Sequence, residues 1–217
     1  MNAETGETEQ PVRRRLAWRA WVAVAVAFLV VAGVVTWFVV SSRQIDRISV
    51  KRDGALVCRG TTPRYRPVGF DEAQVLTVEL VEGMRCRLPV RVVNDGSHAV
   101  RLDEVVLPYM GRGSAISTLA TRLDGPSGSV PLSDGPEPGG SDVDAHFELA
   151  DALAPGEGAR LVLLFEFVAG GCVERGGTVT LSGVPTVSFS VMQRGASVAL
   201  ADPMGFRGTK DSKDASC

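Results

Sequence analysis

Lysine, isoleucine and asparagine are nearly missing from this chain of 217 residues, with three, three and two copies against 20 arginines. That bias follows the codon usage of a GC-rich genome and carries no mechanism. No sign of charge dominates either. Lys and Arg total 23 against 25 Asp and Glu, a formal charge of −2, which excludes a general nucleic-acid-binding field. No zinc-finger or RNA-binding pattern is found, and neither are G-x-S-x-G, a phosphate-binding P-loop or H-E-x-x-H. Gly111 and Gly113 flank one arginine outside any βαβ setting, so they make no dinucleotide site. Histidine occurs twice, as His98 and His146, and neither belongs to a recognisable nucleophile arrangement. Neither an enzyme nor a cofactor is expected.

What the chain does have is one long apolar run. Residues 20–40, "AWVAVAVAFLVVAGVVTWFVV", contain no charge, and Thr36 is the sole polar side chain. As a helix these residues span roughly 30 Å, the thickness of a bilayer's hydrocarbon core. Trp18, Trp21 and Trp37 sit where interfacial aromatics belong. Arg13, Arg14 and Arg15 give a basic leader, but a cleaved signal peptide has a shorter apolar region. An uncleaved signal-anchor is therefore expected over residues 16–40. The flanking arginines nearly cancel, so orientation rests on the chemistry of the region C-terminal to the helix.

Cys58, Cys86, Cys172 and Cys217 all lie C-terminal to that segment, at spacings that fit neither zinc nor C-x-x-C chemistry. Disulfides in an oxidising compartment account for them, which places the N-terminus in the cytoplasm and the bulk of the chain outside. Three pairings are possible. We prefer Cys86 with Cys172, each flanking a core strand, leaving Cys58 with Cys217.

Beyond the helix, period-two alternation dominates. Leu76, Val78 and Leu80 share a face, as do Leu88, Val90 and Val92, and Val187, Phe189 and Val191. Strands are expected at 75–81, 88–93, 98–107, 145–149, 159–168, 177–183, 186–192 and 196–201. "LVLLFEF", residues 161–167, reads as a central strand, and residues 115–123 as the sole short helical window. Asn94-Asp95-Gly96 carries turn chemistry and is expected to bend a hairpin between residues 90–93 and 99–107, with a bulge near Asp103-Glu104. Residues 108–142 are so rich in Gly and Pro that they read as a surface excursion, either a binding surface or a passive insertion.

The "V-x-N-D-G" turn followed by "L-x-P-G-E" and a long apolar strand resembles the immunoglobulin-like sandwich modules of bacterial cell-envelope proteins. The matching residues are Val92, Asn94, Gly96, Leu153, Pro155, Gly156 and Glu157. The layout also resembles the single-pass envelope proteins of actinobacteria. The resemblance implies an all-β, antiparallel β-sandwich of about seven or eight strands over roughly residues 75–201. It departs from antibody-type domains, because no tryptophan lies outside the N-terminal segment.

The expected organisation is a disordered cytoplasmic tail (1–15), the transmembrane helix (16–40), a basic stalk (41–68), the sandwich (69–203) and a C-terminal tail (204–217). The stalk is expected to hold one short strand at residues 55–58, and its cations are either solvated or drawn to anionic headgroups or wall polymers. The expected role is a non-enzymatic interaction or structural module with an envelope protein or wall polymer as partner. A second reading is metal binding. In "SDVDAH", Asp142, Asp144 and His146 project to one side of an extended chain and could hold Ca²⁺ or a transition metal, although a plain polar face is the simpler account.

Overall fold

The computed structural model describes residues 10–69, 72–133 and 143–212. The chain divides into an N-terminal unit, residues 1–43, and a β unit, Gln44–Cys217. The first is one helix, α1 (Gln10–Ile45), of 36 residues. Pro11, second in the helix, costs no hydrogen bond there, because the first helical N–H groups have no intrahelical partner. Residues 10–15 are thus helical rather than a disordered tail, and residues 1–9 lie outside the described residues. Along the helix, Trp21, Phe28, Leu29 and Val31 stand 73, 72, 69 and 61% exposed, so apolar side chains are uncovered on every face.

Among its described residues the β unit holds fifteen strands. Three precede residue 69: β1 (Ile48–Arg52), β2 (Val57–Arg59) and β3 (Arg64–Val68). β4 (Ala73–Glu79), β5 (Arg85–Asn94) and β6 (Val100–Leu107) come after them. Next are β7 (Thr118–Gly125), β8 (Gly128–Pro131), β9 (Ala145–Glu148), β10 (Ala152–Leu153) and β11 (Gly158–Phe167). β12 (Thr178–Leu181), β13 (Thr186–Val191), β14 (Arg194–Ala199) and β15 (Met204–Arg207) complete the set.

They form a six-stranded sheet ordered β1-β5-β11-β7-β8 with β2 also on β5, a five-stranded sheet ordered β10-β6-β13-β14 with β9 on β6, and a four-stranded sheet ordered β12-β15-β4-β3. The fold is all-β, as expected. The inner faces of all three sheets share one buried cluster that includes Leu88, Val90, Leu102, Phe147, Leu163, Phe189 and Phe206. Phe165 and Phe206 meet edge to face at 6.1 Å, joining the six- and four-stranded sheets. All eight expected strands are present, and β11 is central between β5 and β7. The bulge is also found: opposite β13 the register slips at Asp103, which returns Val105 and Leu107 to the buried face.

Several expectations fail. The basic stalk is not a stalk, because β1 and β2 pair with β5, and β3 pairs with β4. The C-terminal tail supplies β15, which runs parallel to β4 and lies inside its sheet. There the chain comes so close that a Cβ on Gly205 would sit 2.6 Å from Thr77 Oγ1. Within the supposed excursion and helical window, β7 and β8 extend the six-stranded sheet, with Ala120 and Leu123 buried. The Asn94-Asp95-Gly96 turn makes no hairpin either. It carries the chain from β5 in one sheet to β6 in another.

The disulfide pairing is also corrected. Cys58 and Cys86 are register partners on β2 and β5 and are bonded to each other, so Cys86 does not pair with Cys172. Cys172 is itself disulfide-bonded, and Cys217 lies outside the described residues.

The β13–β14 hairpin turns through only Met192 and Gln193, at φ 52° and 65°. Two-residue hairpin loops favour such angles, which Asn-Gly adopts at little cost and larger side chains do not. Gln193 is exposed. Gln193→Gly should therefore stabilise the domain by about 1 kcal/mol, read as a rise in the urea midpoint of the full chain in detergent.

Candidate functional site

Two residues of the metal reading, Asp144 and His146, have protein partners. Asp144 Oδ1 accepts the Tyr109 amide at 2.9 Å, which supports Tyr109 at its φ of 59°. His146 Nδ1 lies 2.7 Å from Glu104 Oε1 on the neighbouring strand. Asp142 lies outside the described residues. Among the described residues no three His, Cys, Asp or Glu side chains gather in a way that could hold a metal ion. His98 is exposed, and its ring Nδ1 lies 3.1 Å from the adjacent Ser97 hydroxyl. The two histidines thus sit in separate settings. Around Gly111 and Gly113 lies a concavity of about 460 Å³, shared with Ser117, Thr118 and Val168.

A different constellation emerges on the outer face of the six-stranded sheet. Along β5, Arg85, Arg87 and Arg91 are exposed while Cys86, Leu88, Val90 and Val92 are buried. The strands beside it add more cations at matching heights. Lys51 on β1 and Arg160 on β11 flank Arg91 on either side. Arg59 on β2 stands opposite Arg85, and Arg122 on β7 lies beyond Leu164 from Arg87.

Three carboxylates share this face, each held by its own arginine: Glu166 by Arg85 (3.4 Å), Asp53 by Arg160 (3.1 Å) and Asp124 by Arg122 (3.0 Å). Lys51, Arg59, Arg87 and Arg91 form no ion pair with any described residue. Like charges directly opposite one another destabilise a sheet, so the Lys51–Arg91–Arg160 row costs the fold stability.

Between the cations the face is apolar. Val57, 62% exposed, and Leu164 help line a groove of about 450 Å³ that Arg59, Arg85 and Arg87 border. Val162 and Leu164 explain why β11 reads as apolar on both faces, since they lie half-buried on this outer side. Gly158 leaves room for the Arg91 side chain, whose Nε would lie 2.8 Å from a Cβ there.

In the sequence the cations of residues 41–68 read as one group. Folding disperses them: Lys51 and Arg59 join this face, Arg52 pairs with Asp202, and Arg66 pairs with Glu79. Arg85, Arg87, Arg91 and Arg160 were missed at the level of sequence. The signal was present in "RCRLPVRV", residues 85–92, where arginines alternate with buried side chains except at the Leu88–Val90 run.

No known protein family matches the chain, and no curated protein does. Similar solved structures include a family 20 exo-β-N-acetylglucosaminidase from Vibrio harveyi, at TM-score 0.33 and 9% identity, covering 73% of this chain and 18% of that one. AvmM, which catalyses macrocyclization in alchivemycin A biosynthesis, is similar at TM-score 0.33 and 11% identity over 69% of this chain and 89% of its own. A family 123 glycoside hydrolase from Clostridium perfringens is similar at TM-score 0.27 and 11% identity, covering 74% and 27%. The chain spans less than a fifth of the first of these proteins. Likeness at this level carries no functional argument.

Proposed function

We propose that this chain is a membrane-tethered, non-enzymatic binding module of the cell envelope. In this reading α1 crosses the bilayer once, with the N-terminus cytoplasmic. The disulfide-bearing, immunoglobulin-like β body stands outside, where it engages an envelope protein or wall polymer.

The observation that supports it best is the helix surface. Residues Trp21–Ile45 are long and apolar enough to cross a membrane, and none of the apolar window is buried. A helix apolar on all sides is a poor solute in water and a good one in lipid. The buried core of the β body runs from Ile48 to Phe206, with Ile45, the last residue of the segment, packed against it. Its oxidised cysteines fit an extracytoplasmic compartment. The unpaired cations of the six-stranded sheet give it an outward surface with a function to explain.

Crosslinking of the full chain in intact cells, followed by identification of the captured molecules, tests this role. Reproducible capture of envelope components supports it. Capture confined to cytoplasmic proteins contradicts it.

A further inference from the structure

We propose that the outer face of the six-stranded sheet docks a linear, phosphate-bearing polymer, with Arg59, Arg87 and Arg91 as its main phosphate ligands and Lys51 beside them. The proposal rests on the binding-module reading above and names the class of partner.

Charge complementarity is the first argument. Seven cations and three carboxylates share this face, in a chain whose formal charge is −2. The three carboxylates are paired one to one with Arg85, Arg160 and Arg122, so Lys51, Arg59, Arg87 and Arg91 leave the face cationic even though Glu166 also lines the groove. Six of the seven cations are arginines. The planar guanidinium fork matches two phosphate oxygens at once, which a lysine ammonium does not.

Spacing and shape select among anionic partners. Arg85 and Arg87 are two residues apart and Arg91 is four further on, so their side chains leave β5 at intervals of roughly 7 and 13 Å. That is a track for charges repeated along a chain. The groove beside it is bordered by arginines and lined in part by Val57 and Leu164. A single chain can enter such a groove, whereas a planar bilayer surface cannot follow it inward. An extended acidic peptide binds most readily by adding a strand to a sheet edge, where backbone groups are free. This face offers side chains only.

The test uses the full chain reconstituted in phosphatidylcholine nanodiscs, with inorganic polyphosphate as the probe. Saturable binding is expected, weakening by about 50-fold as salt rises from about 50 to about 200 mM, as four released counterions imply for a single-stranded polyanion. Arg87→Glu with Arg91→Glu should weaken it at least about tenfold and flatten the salt dependence by about 0.7 of a unit of slope per lost cation. Arg64→Glu, which makes one such charge reversal on another sheet, should leave binding unchanged. Polyglutamate should bind more weakly than polyphosphate, and phosphatidylglycerol vesicles should not compete.

Four results would each overturn the proposal: no polyphosphate binding at low salt, equal loss with Arg64→Glu, tighter binding to polyglutamate, or binding to the vesicles alone. None of them bears on whether the chain captures an envelope partner in cells, so failure here is distinguishable from failure of the module reading.

Discussion

Asn94→Ala should cost the folded domain about 2–4 kcal/mol, and Asn94→Asp about 3–5 kcal/mol. Asn94 is fully buried and ties together turns that are distant in sequence. Its side-chain amide donates to three carbonyl oxygens, those of His98 (2.9 Å), Leu153 (3.1 Å) and Ala154 (3.1 Å), with two hydrogens shared among them. Its Oδ1 accepts the Gly96 amide at 3.0 Å. The backbone joins in: Asn94 N–H donates to Glu157, Gly156 N–H donates to Asn94, and Asp95 N–H donates to Arg47.

Alanine deletes the donor and leaves buried carbonyls unpaired. Aspartate is worse, because it keeps the shape but aims a carboxylate at three oxygens. The "N-D-G" and "L-x-P-G-E" signatures are thus two halves of one hydrogen-bonded junction. Urea unfolding of the full chain in detergent, followed by β-sheet circular dichroism, checks the order: wild type most stable, then Asn94→Ala, then Asn94→Asp. Equal midpoints would show that the junction does not matter.

The second large effect concerns α1. Two arginines placed near its centre, Val30→Arg with Val31→Arg, should make insertion less favourable by about 5–7 kcal/mol, at about 2.5–3.5 kcal/mol each. Both positions are about 60% exposed, so no protein packing is lost in the exchange. The unaltered chain is expected in the carbonate-resistant membrane pellet at an intact mass of 23.0 kDa. The double variant is expected outside that fraction. A mature chain lacking residues 1–40 would show that the segment is a cleaved signal, and equal partitioning of both forms would remove the span altogether.

Much of the fold could be read along the chain because its signals are local. Strand β13 alternates cleanly, and the phase change between Leu102 and Val105 predicts the bulge that the register places at Asp103. What resisted reading depends on partners distant in sequence. Strands β1 to β3 are rich in arginine and read as a basic stalk, since what makes them sheet strands is pairing with β4 and β5. A register shift against β11 breaks the alternation of β7, and β15 is four residues whose place depends on close approach to Thr77.

The Asn94 turn lies where its residue types predict, yet it joins two sheets instead of two paired strands. Turn chemistry says that the chain reverses, and which sheet receives it is decided by packing. Cysteine pairing is equally non-local: Cys58 meets Cys86 only because β2 lies on β5. The cationic face obeys the same logic. Each arginine was visible, but their alignment across four strands is a property of register.

The central claim is that lipid holds the helix while the β body stands outside the cell. Single cysteines at Ser197, exposed on strand β14, and at Thr5, ahead of the helix, probe the two sides when intact cells meet a thiol reagent that cannot cross the bilayer. Ser197→Cys should be labelled in intact cells, and Thr5→Cys only after lysis. Labelling in the opposite order, or of neither site until the cells are broken, would contradict the account.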